Sequence, residues 1–152
     1  MTRASGQIFH ILNKRCLVTM ALVFWVLIFF YALIKNPSLH ESNVRISIMR
    51  SDTSTALEDD RIISYKYENS KYGSALLYVR IFKKDWTPQV RQASIDNFIN
   101  LGWKPRKPSL NSFCKNGMLM DIQENPGSEG EIPIILISMT YNASTIKICR
   151  IN

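Results

Sequence analysis

The sequence predicts an α+β protein in which one N-terminal transmembrane helix precedes a small antiparallel sheet domain. The predicted element order of that domain is β-β-α-β-β-β-β, with one helix on a face of the sheet. Three observations lead to this prediction: an uncharged run at 16–34, alternating apolar residues after residue 61, and one helical pattern that begins at Thr87-Pro88.

The uncharged run Cys16–Ile34 is long enough to span a membrane as a helix. Nineteen helical residues rise about 28 Å, close to the roughly 30 Å hydrocarbon core of a bilayer. No charged residue, His, Gly or Pro interrupts the run, and Lys14, Arg15 and Lys35 flank it. No small-residue cleavage site follows, which favours an uncleaved signal anchor over a cleaved signal peptide. The alternative is a buried core helix.

Charge around this run predicts an orientation. The head carries Arg3, Lys14 and Arg15 and no acidic residue, which places the N-terminus in the cytoplasm by the positive-inside bias. The predicted location is the cell inner membrane, single-pass, with a periplasmic C-terminal domain. The predicted organisation is a cytoplasmic tail at 1–15, a signal anchor at 16–34, a juxtamembrane stalk at 35–60 and an extracytoplasmic α+β domain at 61–152.

Two strands and a helix open the predicted domain. Residues 62–68 and 75–82 alternate as strands do, and the polar segment 69–73 between them predicts a hairpin turn. Thr87 is a favoured N-cap residue and Pro88 a favoured first helical residue, so a helix is predicted from there to Leu101. A glycine directly after such a helix can end it.

The second half of the domain is predicted to contain only strands. Asn116-Gly117 between apolar runs is the strongest short signal of a β-hairpin. Residues 132–141 and 145–151 are predicted as two further strands, joined by a turn at 142–144.

The cysteines predict one disulfide bond. Cys114 and Cys149 both fall in the predicted domain, and an oxidising compartment would pair them. The alternative is a pair of buried thiols. Cys16 is predicted to be a small apolar residue, with lipidation as the alternative.

The sequence predicts no catalytic site, metal site or cofactor. Residues 41–152 contain no histidine, so a nucleophile–histidine pair has no base inside the predicted domain. Two cysteines are too few for a thiolate zinc site, and no glycine-rich phosphate loop is present. Asp121 and Glu124 could serve as a pair of catalytic carboxylates, although no flanking pattern supports that reading.

Basic residues form one candidate contact site. The chain has 152 residues and a net charge of +7. Three of the 19 basic residues and none of the 12 acidic ones lie in the head, which leaves +4 for the remainder. Possible partner contacts are Lys104, Arg106, Lys107 and Lys115. The prolines among them would stiffen this segment and so lower the cost of ordering it on binding.

Two tryptophans and one sequon in the predicted domain are predicted to have structural roles. Trp86 and Trp103 flank the predicted helix and are read as packing residues. Asn142-Ala143-Ser144 matches a glycosylation sequon, and the favoured interpretation is an ordinary turn.

The resulting functional prediction is a membrane-anchored, non-enzymatic binding protein of the bacterial envelope. It would be an immunity or inhibitor protein or an accessory subunit of an envelope complex. Its predicted partners are the lipid bilayer and an unknown envelope protein, and the predicted compartment argues against nucleic acid. The alternatives are a carboxylate-dependent envelope hydrolase and a eukaryotic type II membrane glycoprotein.

Overall fold

The chain contains one helical segment and one larger folded unit. A computed structural model describes residues 4–58, 61–124 and 132–150, with side chains described from residue 16 onward except at 33. The chain divides between Lys35 and Asn36 into two compact units.

Helix α1, Ala4–Lys35, makes up the first unit. Among the residues that the structure describes, no helix has both the length and the apolar character that a membrane crossing requires. Because a helical span needs about 20 consecutive, mainly apolar residues, this finding corrects the prediction of a transmembrane signal anchor at 16–34. The single-pass inner-membrane location with a periplasmic C-terminal domain is corrected with it.

Helix α2, Leu39–Ala56, begins the second unit. Ser38 and Glu41 form a capping box in which each side chain accepts a hydrogen bond from the backbone N–H of the other residue. The helix buries Met49 and Ala56 in the core of the unit. The structure therefore differs from the stalk predicted at 35–60, because residues Leu39–Ala56 within it form a helix of the folded unit.

Strands β1, Ile63–Lys71, and β2, Ser74–Phe82, form the predicted hairpin. Gly73 in the turn has φ of +86°, a conformation that glycine adopts without steric cost. Alternate residues of β2 are buried, from Ala75 to Ile81, because they face the helices.

Helix α3, Pro88–Asn100, has Thr87 as its N-cap, and the Thr87 hydroxyl accepts a hydrogen bond from Val90 N at 3.3 Å. The chain continues through β3, Lys104–Pro105, β4, Ser112–Lys115, and β5, Met118–Glu124. Asn116 and Gly117 both have positive φ, which confirms the hairpin that the Asn-Gly pair predicts.

The last described elements are β6, Ile134–Asn142, and the short helix α4, Ala143–Ile148. The predicted final strand at 145–151 is wrong over its described part. Asn142 accepts hydrogen bonds from Ser144 N and Thr145 N, both at 2.9 Å, and so caps a helix. The polar N-cap chemistry prevails over the weak apolar alternation of this segment.

Within the described ranges the protein is α+β, with a six-stranded antiparallel sheet and four helices. The sheet order is β1-β2-β6-β5-β4-β3, so β1 and β3 lie at opposite edges. Helix α2 lies against β1, β2 and β6 and packs on α3. The predicted arrangement of one transmembrane helix and a single helix on the sheet is therefore wrong, because two helices, α2 and α3, contribute to the core.

Candidate functional site

Two of the four predicted contact residues border an open cleft of about 830 Å³ at one end of the sheet. Lys104 lies on β3 and Lys115 at the end of β4. Arg106 and Lys107 follow β3 and are not part of the cleft lining. The structure therefore divides the predicted set into two pairs.

The cleft is mainly basic. Its walls come from α2, the β3–β4 segment, the β4–β5 turn, β6 and α4. The charged residues of its lining are Glu41, Arg45, Lys104, Lys115 and Arg150. We refer to this surface, defined by these five residues, as the basic cleft.

Lys115 is held by the interior of the unit. Its Nζ lies 2.6 Å from Asp52 Oδ2, and Trp103 Nε1 donates to the same oxygen at 2.9 Å. Asp52 and Trp103 are buried. Since a buried carboxylate needs compensating charge and hydrogen bonds, Lys115 serves mainly to neutralise Asp52. The charge of Lys115 is therefore less available to a partner than the sequence alone indicates.

Lys104 and Arg150 are the cations of the cleft that remain uncompensated. Both side chains are exposed. Within residues 4–58, 61–124 and 132–150, neither has a carboxylate at salt-bridge distance. Such charges attract an anionic partner and raise its association rate.

The guanidinium of Arg45 lies over the ring of a buried tyrosine. Its guanidinium lies 5.3 Å from the centre of the Tyr141 ring, and Tyr141 is buried at the end of β6. A cation over a tyrosine face is held by the quadrupole of the ring while its outer donors stay available. Arg45 is therefore oriented before any partner arrives.

Among the described residues that line the cleft, Glu41 supplies the one carboxylate. Ser38 N donates to Glu41 Oε2 at 2.7 Å, and the Ser38 hydroxyl donates to the same oxygen at 3.0 Å. These bonds, with the nearby charge of Arg45, hold the pKa of Glu41 below its usual value. Glu41 is thus occupied in capping α2.

A disulfide bond closes one wall of the cleft. Cys114 on β4 is bonded to Cys149, the residue that follows α4, as the sequence predicts. Gly117 allows α4 to approach the β4–β5 turn, since a Cβ there would lie 3.1 Å from Ile146 Cγ1. The position of Arg150 in the lining depends on both features.

The predicted carboxylate pair is not brought together. Asp121 accepts a short hydrogen bond from the hydroxyl of Ser112, its neighbour on β4. Glu124 Oε1 lies 3.8 Å from Arg91 Nε. Residues three apart on a strand point to opposite faces of the sheet, so the two carboxylates cannot act on one bond. In the described part of the chain, no group of three or more His, Cys, Asp or Glu residues could hold a metal ion.

Three of the remaining predicted residues, Trp86, Trp103 and Asn142, have structural roles. Trp103 and Trp86 are both buried. Asn142 of the sequon caps α4 through its side-chain oxygen. Free Cys16 is exposed on α1.

Comparison with known protein families, with curated proteins and with solved structures finds no match to this chain.

Sequence reasoning missed Arg45 and Arg150. The stalk predicted at 35–60 includes Arg45, although Ser38-x-x-Glu41 is a capping-box pattern that indicates a helix. The strand predicted at 145–151 includes Arg150, although Asn142 is a favoured N-cap residue. Reading these two caps would have predicted the helices but not the cleft, which forms only where α2, α4 and β3 meet.

Proposed function

We propose that the second unit is a non-enzymatic binding module that accepts an acidic segment of a protein partner in the basic cleft. It acts as an immunity or inhibitor protein, or as an accessory subunit of a larger complex. The observation that carries this proposal is the juxtaposition of Lys104, Arg150 and Arg45 around one open cleft.

The cleft suits a peptide better than a small molecule. Its lining carries more polar than apolar surface, whereas small-molecule sites are mainly apolar with a few polar groups. Uncompensated cations spread along an open groove match carboxylates spread along a chain. The Arg45–Tyr141 contact and the disulfide bond fix part of the surface in advance, which lowers the ordering cost of binding.

A labelled hexaglutamate peptide is a direct probe of the cleft. We expect the full chain to bind it, and we expect binding to weaken steeply between about 0.05 and 0.5 M salt. The double variant Lys104→Glu/Arg150→Glu should raise the Kd by about tenfold or more, which corresponds to about 1.4 kcal/mol. Fluorescence anisotropy measures both quantities.

The matched control reverses two charges elsewhere. Lys83 and Lys84 are exposed on the 3-10 turn after β2 and do not line the cleft. Lys83→Glu/Lys84→Glu changes the net charge by the same amount and should leave cleft binding nearly intact. Equal loss in the two double variants would mean that the peptide senses only net charge, and the proposal would fail.

The natural partner can then be sought at the same surface. A photo-crosslinking residue at exposed Asn116, in the cleft lining, should capture the partner in cells. The same group at exposed Gln92 on α3 should not. Capture that survives Lys104→Glu/Arg150→Glu would contradict a role for the cleft.

A further inference from the structure

Strand β1 forms a long edge of the sheet. Of the strands that the structure describes, only β2 pairs with it, and the register is regular from Tyr65 to Lys71. One irregularity lies near the start, between Ile63 and Tyr65. An edge strand of this length presents a row of backbone donors and acceptors to another strand.

The charged side chains of β1 would be complementary in an antiparallel pair formed with a second copy of β1. In an antiparallel pair related by a two-fold axis perpendicular to the sheet, facing residues come from the same face, so the axis must pass through one residue position. An axis at Tyr67 places Lys66 opposite Glu68 of the second copy, and the reverse. Opposite charges directly across a strand pair stabilise it.

The neighbouring registers lack this match. An axis at Lys66 sets that lysine opposite itself, and an axis at Glu68 sets two carboxylates together. Like charges directly opposite destabilise a strand pair. Among the three central positions, the axis at Tyr67 alone gives charge complementarity.

An aromatic row supports the same register. Tyr67 stacks on Tyr78 of β2 with ring centres 6.4 Å apart, and Tyr67 is still 42% exposed. With the axis at Tyr67, the two Tyr67 rings are facing neighbours, and the row continues into the Tyr78 of the second copy. Facing aromatic pairs are among the favourable cross-strand pairs.

We propose that two copies of this chain associate through β1, antiparallel, in the register centred on Tyr67. The two sheets then form one continuous sheet. Because β1 and β3 lie at opposite edges, each basic cleft, which includes Lys104 of β3, lies toward an outer end of the dimer. The dimer presents two clefts, independently of what they bind.

The internal ion pair of Glu68 is compatible with this arrangement. Arg50 Nη2 and Nε donate to Glu68 Oε1 and Oε2 at 2.6 and 2.9 Å. A carboxylate has about four acceptor positions, so Glu68 can also accept from Lys66 of the second copy. Both members of the Arg50–Glu68 pair are substantially exposed, which leaves room for that approach.

Cysteine crosslinking tests the register directly. In a Cys16→Ala background, Tyr67→Cys places two cysteines in facing positions with their Cα atoms about 4.5–5.5 Å apart, within the Cα range for a disulfide bond. The control Asn69→Cys exposes a thiol on the same face, but its counterpart in the second copy is displaced by about four residues, roughly 13 Å. Oxidised full-length Tyr67→Cys should form covalent dimers at least about tenfold faster than Asn69→Cys.

Charge reversal gives an independent readout that does not depend on cysteine geometry. Lys66→Glu and Glu68→Lys each place like charges opposite each other, so each variant alone should sediment with a smaller dimer fraction than the unmodified chain. Mixed together, the two variants have complementary charges at both pairs, and dimer should return.

The outcomes separate the possibilities. Faster crosslinking at Tyr67 together with recovery on mixing supports the proposal. Equal or absent crosslinking at both positions, or no recovery in a mixture of two folded variants, overturns it.

Discussion

Lys115 Nζ lies 2.6 Å from Asp52 Oδ2 and thereby joins the end of β4 to the C-terminal part of α2. Both side chains are largely withdrawn from solvent, with 16% and 9% exposed. The ion pair explains how a lysine predicted to contact a partner becomes part of the internal structure. It also fixes one wall of the basic cleft relative to another.

Removing Lys115 should destabilise the second unit. Lys115→Met leaves Asp52 with only the Trp103 hydrogen bond in a buried position, and we expect a loss of about 2–4 kcal/mol in the free energy of unfolding. Urea denaturation of the full chain measures it. The control is Arg50→Met, which breaks an exposed ion pair and should cost less than about 1 kcal/mol. Similar losses in the two variants would contradict the buried role of the pair.

Met49 should behave as a core residue. It is fully buried on α2, so Met49→Ala should cost about 2–5 kcal/mol through lost transfer energy and a cavity. Val44, on the same helix, is 43% exposed, and Val44→Ala should cost much less. A stalk would tolerate both substitutions alike, so chemical denaturation of the two variants decides between a stalk and a core helix.

The disulfide bond should contribute substantially to stability. Cys114 and Cys149 are 35 residues apart, and closing a loop of that length constrains the unfolded chain by roughly 3–4 kcal/mol. The double variant Cys114→Ala/Cys149→Ala should lose about that much in a denaturant titration. Cys16→Ala, which removes an exposed thiol of α1, should leave the unfolding of the second unit unchanged. The prediction fails if reducing agent does not shift the unfolding midpoint of the unmodified chain.

Two glycines with positive φ should respond differently to alanine. Gly117 has φ of +81° and a neighbouring carbon at 3.1 Å from a Cβ position, whereas Gly102 has φ of +93° and more space around it. Gly102→Ala should cost about 1 kcal/mol for the backbone conformation alone. Gly117→Ala should cost more, because the Ile146 side chain on α4 must also move, and hexaglutamate binding should weaken with it. Thermal unfolding and anisotropy provide the two readouts.

Glu68 should give a small, pH-dependent contribution to stability. The hydrogen bonds from Arg50 lower the pKa of Glu68 in the folded state. Its contribution is therefore present above the pKa of the unfolded chain and is lost as the pH falls through the folded value. Arg50→Met should raise the pKa of Glu68 toward its usual value in an NMR titration. The associated stability difference should stay below about 1 kcal/mol because the pair is exposed.

Local chemistry made several elements predictable from sequence. Thr87-Pro88 sets the start of α3 through capping and a fixed φ, and Asn116-Gly117 sets a hairpin because both residues tolerate positive φ. The antiparallel β1–β2 hairpin is also predictable from sequence, because alternate residues of β2 are apolar and face the core.

Helix α2 was not predicted because its buried face is only partly apolar. Its buried positions follow helical spacing but include Ser42, Asp52 and Thr53. Because these core positions are polar, hydrophobicity alone does not reveal the helical spacing of the buried residues. Asp52 is acceptable there because Lys115, 63 positions away, neutralises it and Trp103 donates a hydrogen bond to it.

The sequence alone predicts the start of α3, the Asn-Gly turn, the β1–β2 and β4–β5 hairpins and the pair of cysteines available for bonding, since each depends on neighbouring residues or on a simple count. It does not predict that 39–56 is a core helix, that Lys115 faces inward, or that Arg45, Lys104 and Arg150 share one cleft. Those outcomes depend on contacts between distant segments, where burial selects which charges are neutralised and which remain on the surface.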